Sequence, residues 1–147
     1  MKPLIVTKQI QATVEKVFEV VAHIEVASEI IPKIERAVIL TDQKRGVGMR
    51  FAETRKMGKR EFTMEFEVTE YDPPRSIRLI SVDEVKTTWD SVYELEQVDG
   101  ATNLTLTMHC KPTKFSIKLM WPLMKWVIRK GVVDDLNHFA NHLEIQY

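Results

Sequence analysis

The sequence has few cysteines, glycines and prolines and no excess of charge of either sign. Its one cysteine, Cys110, cannot form an internal disulfide, which agrees with a cytoplasmic, reducing environment. The 5 glycines and 6 prolines are scattered, and no linker, low-complexity tract or repeat is evident. Because 21 Lys and Arg balance 21 Asp and Glu, no global field draws the chain to nucleic acid or to an anionic membrane.

Long hydrophobic runs are also missing. The most apolar stretch, residues 115–128, is interrupted by Lys118, Pro122 and Lys125 and is too short to span a bilayer. The first residues lack the apolar core and cleavage site of a secretory signal. The sequence therefore predicts one cytoplasmic domain over residues 1–147, and a chain of this length buries about 70% of the surface that it exposes when unfolded.

The apolar spacing changes along the chain. Residues 4–10 predict a strand, Thr13 offers an N-cap to a helix, and a second short helix over residues 26–31 must end near Pro32. From residue 34 to residue 110 apolar and polar residues alternate with a period of two, which predicts about six consecutive antiparallel strands with one buried face. The turns include Asp99-Gly100, which is typical of a β-hairpin.

The chain closes with a long predicted helix. Its inner stripe recurs at steps of three or four residues: Trp121, Met124, Ile128, Val132, Leu136, Phe139 and Leu143. The element order is β-α-α-β6-α, with one long helix to cover a one-sided sheet of about seven strands. This order predicts the α+β class.

Several phrases in that order resemble the START-like, or SRPBCC, superfamily, in particular its polyketide cyclase/dehydrase and lipid-transport type. They are ATVEKVFEVVAHIEVASEIIPKIERAVIL, RGVGMRF, EVTEYDPPRSIRL, YELEQVDGATNLTLTM and the terminal KGVVDDLNHFANHLE. The resemblance implies a helix-grip fold, in which a curved antiparallel sheet wraps around the C-terminal helix and encloses a cavity for lipids, sterols, polyketides, quinones or plant hormones. It implies no shared catalytic motif, and fold does not fix function.

The alternation and the inner stripe together predict the lining of such a cavity. The predicted ligand-binding residues are Met49, Phe51, Phe62, Met64, Phe66, Leu79, Trp89, Ser91, Tyr93, Leu106, Met108, Met124, Ile128, Val132 and Leu136. Tyr93 and Glu53 are the candidate polar groups that orient a ligand. The alternative interpretation is that the apolar residues simply fill the core and that Glu53 lies in water at the rim of the sheet.

Residue patterns for catalysis, metals and cofactors are weak. Asp134, His138 and His142 share one helix face, but that face opposes the buried stripe, so no metal site is predicted. Cys110 and His109 point to opposite faces of their strand and cannot pair as nucleophile and base. We therefore predict no catalytic residue, no cofactor, no metal and no nucleic-acid partner.

One apolar surface is left over. Leu119, Leu123, Trp126 and Val127 face away from the inner stripe, and Lys118, Lys125 and Arg129 lie beside them. The preceding loop covers this patch in one interpretation; in the other it is a pocket gate, a homodimer contact or a shallow membrane contact near Trp126.

The predicted function is binding or transport of a small hydrophobic molecule such as a lipid, a quinone or a polyketide, without catalysis. Two alternatives stay open. The first is a polyketide cyclase or dehydratase that uses the same cavity, with Tyr93, Glu53 or His23 moving a proton. The second is a protein-interaction module whose core is filled by side chains. An enzyme needs several titratable groups that converge in the interior, whereas a carrier does not.

Overall fold

The computed structural model describes residues 1–144 and has the predicted element order. The elements are β1 (Leu4–Ile10), α1 (Val14–Ala22), α2 (Ile24–Ile30), β2 (Ile34–Ile39), β3 (Arg50–Met57), β4 (Arg60–Asp72), β5 (Ser76–Val82), β6 (Thr88–Val98), β7 (Ala101–Lys111) and α3 (Phe115–Glu144). The strands form one antiparallel sheet in the order β1-β7-β6-β5-β4-β3-β2. The α+β helix-grip prediction is confirmed.

Local signals set the ends of the first elements. The Thr13 side chain accepts a hydrogen bond from the backbone N–H of Lys16 and caps α1 as predicted. His23 separates α1 from α2, and α2 ends at Ile30, two residues before Pro32. At the β6–β7 hairpin, Asp99 adopts a φ of 55°, a left-handed conformation that an Asp-Gly turn accommodates.

Two irregularities accompany the curvature of the sheet. The register of β4 against β5 shifts between Val68 and Glu70, and that of β2 against β3 shifts between Ile34 and Arg36. Such bulges bend a strand and increase its twist. After the shift in β4, Tyr71 pairs with Ile77 and lies on the same concave face as Val68.

The long helix α3 lies alongside β1. The Trp121 indole N–H donates to the Lys2 carbonyl at 3.1 Å, and a guanidinium N–H of Arg129 donates to the Ile5 carbonyl at 3.1 Å. Near the other end, the backbone N–H of Gln11 donates to Glu144 at 2.9 Å. The helix continues through Pro122, although a proline there removes one backbone hydrogen bond. No helix within residues 1–144 is long and apolar enough to cross a membrane.

The core lies between the concave face of the sheet and the three helices. From α3 it contains Trp121, Val132, Leu136, Phe139 and Leu143, which are five of the seven predicted inner-stripe residues. The other two, Met124 and Ile128, pack against this core while staying partly accessible. The first half of α3 is thus less completely buried than the second.

Candidate functional site

The strand registers place the predicted lining residues on one face. Phe51 pairs with Phe66 across β3 and β4, Leu79 pairs with Ser91, and Tyr93 pairs with Leu106. Paired residues in a sheet point to the same side. That side faces α3, so the alternation places the predicted strand residues beneath the helix.

Many of these side chains are only partly buried although they pack against the core. The partly accessible members of the predicted set are Phe66, Leu79, Trp89, Tyr93, Met108, Met124 and Ile128. Six others are buried, namely Met49, Phe51, Ser91, Leu106, Val132 and Leu136. Met64 is half-buried and Phe62 is exposed toward the end of β4. The partly accessible lining residues thus lie on β4–β7 and on the first half of α3.

A largely buried ion triad, formed by Glu53, Arg55 and Asp135, lies on the same concave face. Arg55 on β3 donates a hydrogen bond to Glu53 on its own strand and two more, at 3.2 and 2.9 Å, to the carboxylate of Asp135 on α3. The side chains are 24%, 12% and 13% exposed, respectively. Because charges are costly to bury without partners, this geometry fixes the long helix against β3.

Electrostatics join Tyr93 to this triad. Burial raises the pKa of Tyr93, and the negative charges of Asp135 and Glu53 raise it further. The positive charge of Arg55 partly opposes this shift. Burial alone would lower the pKa of Arg55, but Glu53 and Asp135 outweigh it and raise that pKa. Near neutral pH the site therefore holds a neutral phenol that can donate a hydrogen bond and a permanently charged guanidinium.

The concave face also carries two aromatic contacts. The rings of Trp89 and Trp121 lie 6.1 Å apart, and the Trp89 indole N–H donates to Asp83 at 3.0 Å. Phe51 stacks on Phe66 with ring centroids 5.2 Å apart. Aromatic and methionine side chains present large, adaptable apolar surfaces. Together with the triad they form an interior that is mostly apolar and charged at one position.

The convex face holds a second charged cluster of a different kind. Asp90 is buried there and accepts hydrogen bonds from Arg78 at 2.6 Å and from Lys111 at 2.9 Å. The hydrogen bond from Arg78, with further help from Lys111, lowers the pKa of Asp90 to about 2. A shallow depression of about 350 Å³ is lined by these residues with Val92 and His109. Its charges are paired with one another, which is typical of a structural cluster.

Three other candidates from the sequence have structural roles or none. His23 is buried, with its Nε2 2.8 Å from the Tyr71 hydroxyl and its Nδ1 3.0 Å from the Glu19 carbonyl oxygen. Cys110 is buried, and burial followed by the charge of Asp83 raises its pKa, so the thiolate is disfavoured. Within residues 1–144 no group of His, Cys, Asp and Glu is arranged to hold a metal ion.

Tyr93 and Glu53, the two candidate polar groups, lie on the concave face as the alternation predicts. The sequence did not lead us to predict two of their neighbours, Arg55 and Asp135. Glu53 is not a solvated rim residue, because it pairs with Arg55 in the interior. Arg55 is in phase with Phe51 and Glu53 on β3, although it was not among the predicted lining residues. Asp135 is three residues after Val132 and four before Phe139, which puts it on the edge of the inner stripe. Both signals were present in the sequence.

The leftover apolar patch on α3 is exposed to solvent. Leu119, Leu123, Trp126 and Val127 remain uncovered by the preceding loop, and Phe115 and Met120 join them. Lys130 lies over the Trp126 ring, 3.6 Å from its centroid. The first half of α3 therefore has an apolar face toward the interior and another toward water.

The sequence matches the family described as polyketide cyclase / dehydrase and lipid transport over residues 4–144. No curated protein matches it. Among solved structures, TTHA0849 from Thermus thermophilus is 14% identical with a TM-score of 0.80, and the alignment covers 98% of both chains. Major latex-like protein 151 from Panax ginseng is 13% identical with a TM-score of 0.79 over 96% of each chain.

A third similar structure is that of StfQ, a di-domain ARO/CYC from the steffimycin biosynthetic pathway. It is 10% identical to this chain with a TM-score of 0.79, and the alignment covers 99% of this chain and 52% of StfQ. At these identities the likeness establishes the fold alone. The predicted START-like resemblance and the helix-grip fold are both confirmed.

Proposed function

The chain belongs to the polyketide cyclase / dehydrase and lipid transport family, and on that premise we propose that it binds a small hydrophobic molecule between the sheet and α3. The observation that carries the proposal is a concave face of partly accessible Phe, Trp, Tyr and Met side chains beside one buried charged group. Ligand sites are mostly apolar with a few fixed polar groups. A lipid, a quinone or a polyketide has this distribution of polarity.

The triad also restricts the polar part of that ligand. A guanidinium has five N–H donors, of which Arg55 directs three at Glu53 and Asp135. The remaining donors and the Tyr93 hydroxyl suit an oxygen acceptor. Two carboxylates against one guanidinium leave a net negative charge, which repels an acidic ligand. We therefore propose that the ligand presents a neutral oxygen, such as a ketone or a hydroxyl group.

The decisive experiment combines extraction with a filling mutation. The purified protein is extracted with organic solvent, any co-purified molecule is identified by mass spectrometry, and binding of the uncharged dye Nile red is followed by fluorescence. Ser91 is buried on the concave face between Leu79 and Met108, so Ser91→Phe adds bulk to the proposed site. We expect it to abolish binding with little loss of stability.

The matched control is Val92→Phe, one residue along on the convex face, which should bind the dye normally. A solid interior predicts a different result, because overpacking costs about 1–3 kcal/mol. If Ser91→Phe is destabilised to that extent and no ligand is extracted, the proposal is wrong, and a protein-interaction module with a filled core takes its place.

The convergence of Glu53, Arg55, Asp135 and Tyr93 also favours a second candidate, a cyclase or dehydratase. Arg55 would polarise a ketone and the Tyr93 phenol would donate a hydrogen bond to the developing oxyanion. The test is incubation with a short poly-β-ketone thioester, followed by mass spectrometry. A cyclase returns a cyclised or dehydrated product and loses activity in Tyr93→Phe, whereas a carrier returns the compound unchanged.

Exchange of an apolar ligand requires contact with a donor or an acceptor. We propose that the exposed apolar surface near Trp126 provides this contact, with either a membrane or a second copy of the chain. We also propose a cytoplasmic location, because the single Cys110 is free and buried. A fluorescent fusion observed in living cells tests the location.

A further inference from the structure

Within residues 1–144, the most exposed aromatic side chains lie on the first half of α3. Phe115, Leu119 and Leu123 recur every four residues and are 71%, 68% and 65% exposed; Trp126 continues the same face at 56%. The core residue Trp121 and the half-buried Met124 and Ile128 lie on the opposite side of the helix. Residues that follow one another at steps of three or four form a continuous stripe. A contiguous apolar stripe of this kind marks an interaction surface.

Positive charge accompanies the stripe. Within residues 111–133 the charged residues are all basic, namely Lys111, Lys114, Lys118, Lys125, Arg129 and Lys130, and the first acidic residue after them is Asp134. The whole chain has a net charge of zero, so this stretch is a local concentration of cations. Of the six, only Lys111 forms an ion pair within the part of the chain that the structure describes. The other five cations have no carboxylate partner there.

We propose that this face of α3 docks the protein on an anionic lipid bilayer. An apolar stripe with a flanking row of Lys and Arg matches the headgroup boundary, where apolar side chains insert and cations meet anionic lipids. Trp126 is well suited to this depth because its ring is amphipathic. A second copy docked on the same patch would bring two cationic rows together without a carboxylate between them. The charge pattern therefore favours the membrane over a homodimer.

This proposal concerns the outer face of α3 and does not depend on whether the interior takes a ligand. The test is flotation of the purified protein with vesicles of phosphatidylcholine containing about 30% phosphatidylserine, and with vesicles of phosphatidylcholine alone. We expect binding to the anionic vesicles that weakens as salt is raised. Trp126→Asp should reduce that binding at least tenfold, because it places a charge at the centre of the stripe.

Val47→Asp is the matched control. Val47 is as exposed as Trp126 but lies in the loop before β3, so its replacement should leave vesicle binding unchanged. Lys118→Gln combined with Lys125→Gln tests the contribution of charge. The double variant keeps the apolar stripe and should lower the affinity for anionic vesicles by roughly thirtyfold. Circular dichroism confirms that each variant is folded.

The same variants identify the competing occupant. Sedimentation equilibrium measures whether the protein is a dimer and whether Trp126→Asp dissociates it. If a dimer dissociates and vesicle binding is absent in the wild type, the face is a homodimer contact and the membrane proposal is overturned. Equal vesicle binding by the wild type and Trp126→Asp would overturn it as well. Dye binding to the interior is measured in parallel for each variant. Loss of vesicle binding with normal dye binding then concerns the α3 face alone and not the proposed ligand site.

Discussion

Replacing Arg55 by Met should destabilise the protein strongly and change how its stability depends on pH. Methionine keeps the length and apolar character of the arginine stem but removes the charge. Glu53 and Asp135, only 12% and 13% exposed, are then left in the interior without a cation. Removing one partner of a buried ion pair typically costs about 3–5 kcal/mol, against a total stability of about 5–15 kcal/mol.

Urea denaturation followed by circular dichroism measures this loss. With a slope of about 2 kcal/mol per molar urea, a cost near 4 kcal/mol moves the midpoint down by about 2 M. Protonation of an unpaired buried carboxylate relieves the cost, so the stability of Arg55→Met should rise as the pH is lowered from 7 to 5. The wild type, in which the Arg55 guanidinium hydrogen-bonds to both carboxylates, provides the reference profile.

A companion variant separates charge from packing. Glu53→Gln, Arg55→Met and Asp135→Asn together remove every charge of the triad while keeping similar volumes, and the triple variant should lie within about 2 kcal/mol of the wild type. If Arg55→Met alone loses less than about 1 kcal/mol and keeps the wild-type pH profile, the carboxylates are hydrated. The interpretation of the triad as a buried polar group would then be wrong.

Two further predictions concern the convex cluster and the selectivity of the interior. Arg78 and Lys111 lower the pKa of Asp90 from 3.8 to about 2, so its ionised form stabilises the fold above pH 4 and this contribution is lost as the pH falls toward 2. Asp90→Asn should therefore be less stable than the wild type by about 2 kcal/mol at neutral pH. Thermal denaturation should show that this difference vanishes at low pH. A long-chain alcohol should displace the uncharged dye Nile red better than the carboxylic acid of equal length does, and Tyr93→Phe should weaken binding of the alcohol several-fold. Preference for the acid would contradict the proposed neutral ligand.

The fold was predictable because its signals are local. Alternation of apolar and polar residues defines each strand, and the Asp99-Gly100 turn forces the neighbouring strands to pair antiparallel. The same alternation placed Glu53 and Tyr93 on the concave face without any knowledge of the structure. The phase of α3 likewise separated its inner stripe from the exposed surface around Trp126.

The triad was not predictable as a unit because its key contact is non-local. Arg55 and Asp135 are 80 residues apart, and their meeting depends on how α3 crosses β3. Each of them is in phase with a buried face, but neither was predicted to lie inside, because a charged residue in that phase is usually a rim residue. His23 was ambiguous for the same reason, because its burial depends on Tyr71, 48 residues away.

The pairing of β1 with β7 has a consequence for synthesis on the ribosome. β1 is the first strand to emerge, yet its hydrogen-bonding partner, Ala101–Lys111, follows about a hundred residues later, and α3 follows after that. At about 10 residues per second, β1 waits roughly ten seconds for its neighbour. During that interval the growing chain exposes an unpaired strand edge and the uncovered apolar side of a half-built sheet. These groups can be buried only after β7 and α3 have been synthesised, so the N-terminal half of the fold depends on its C-terminal half for cover.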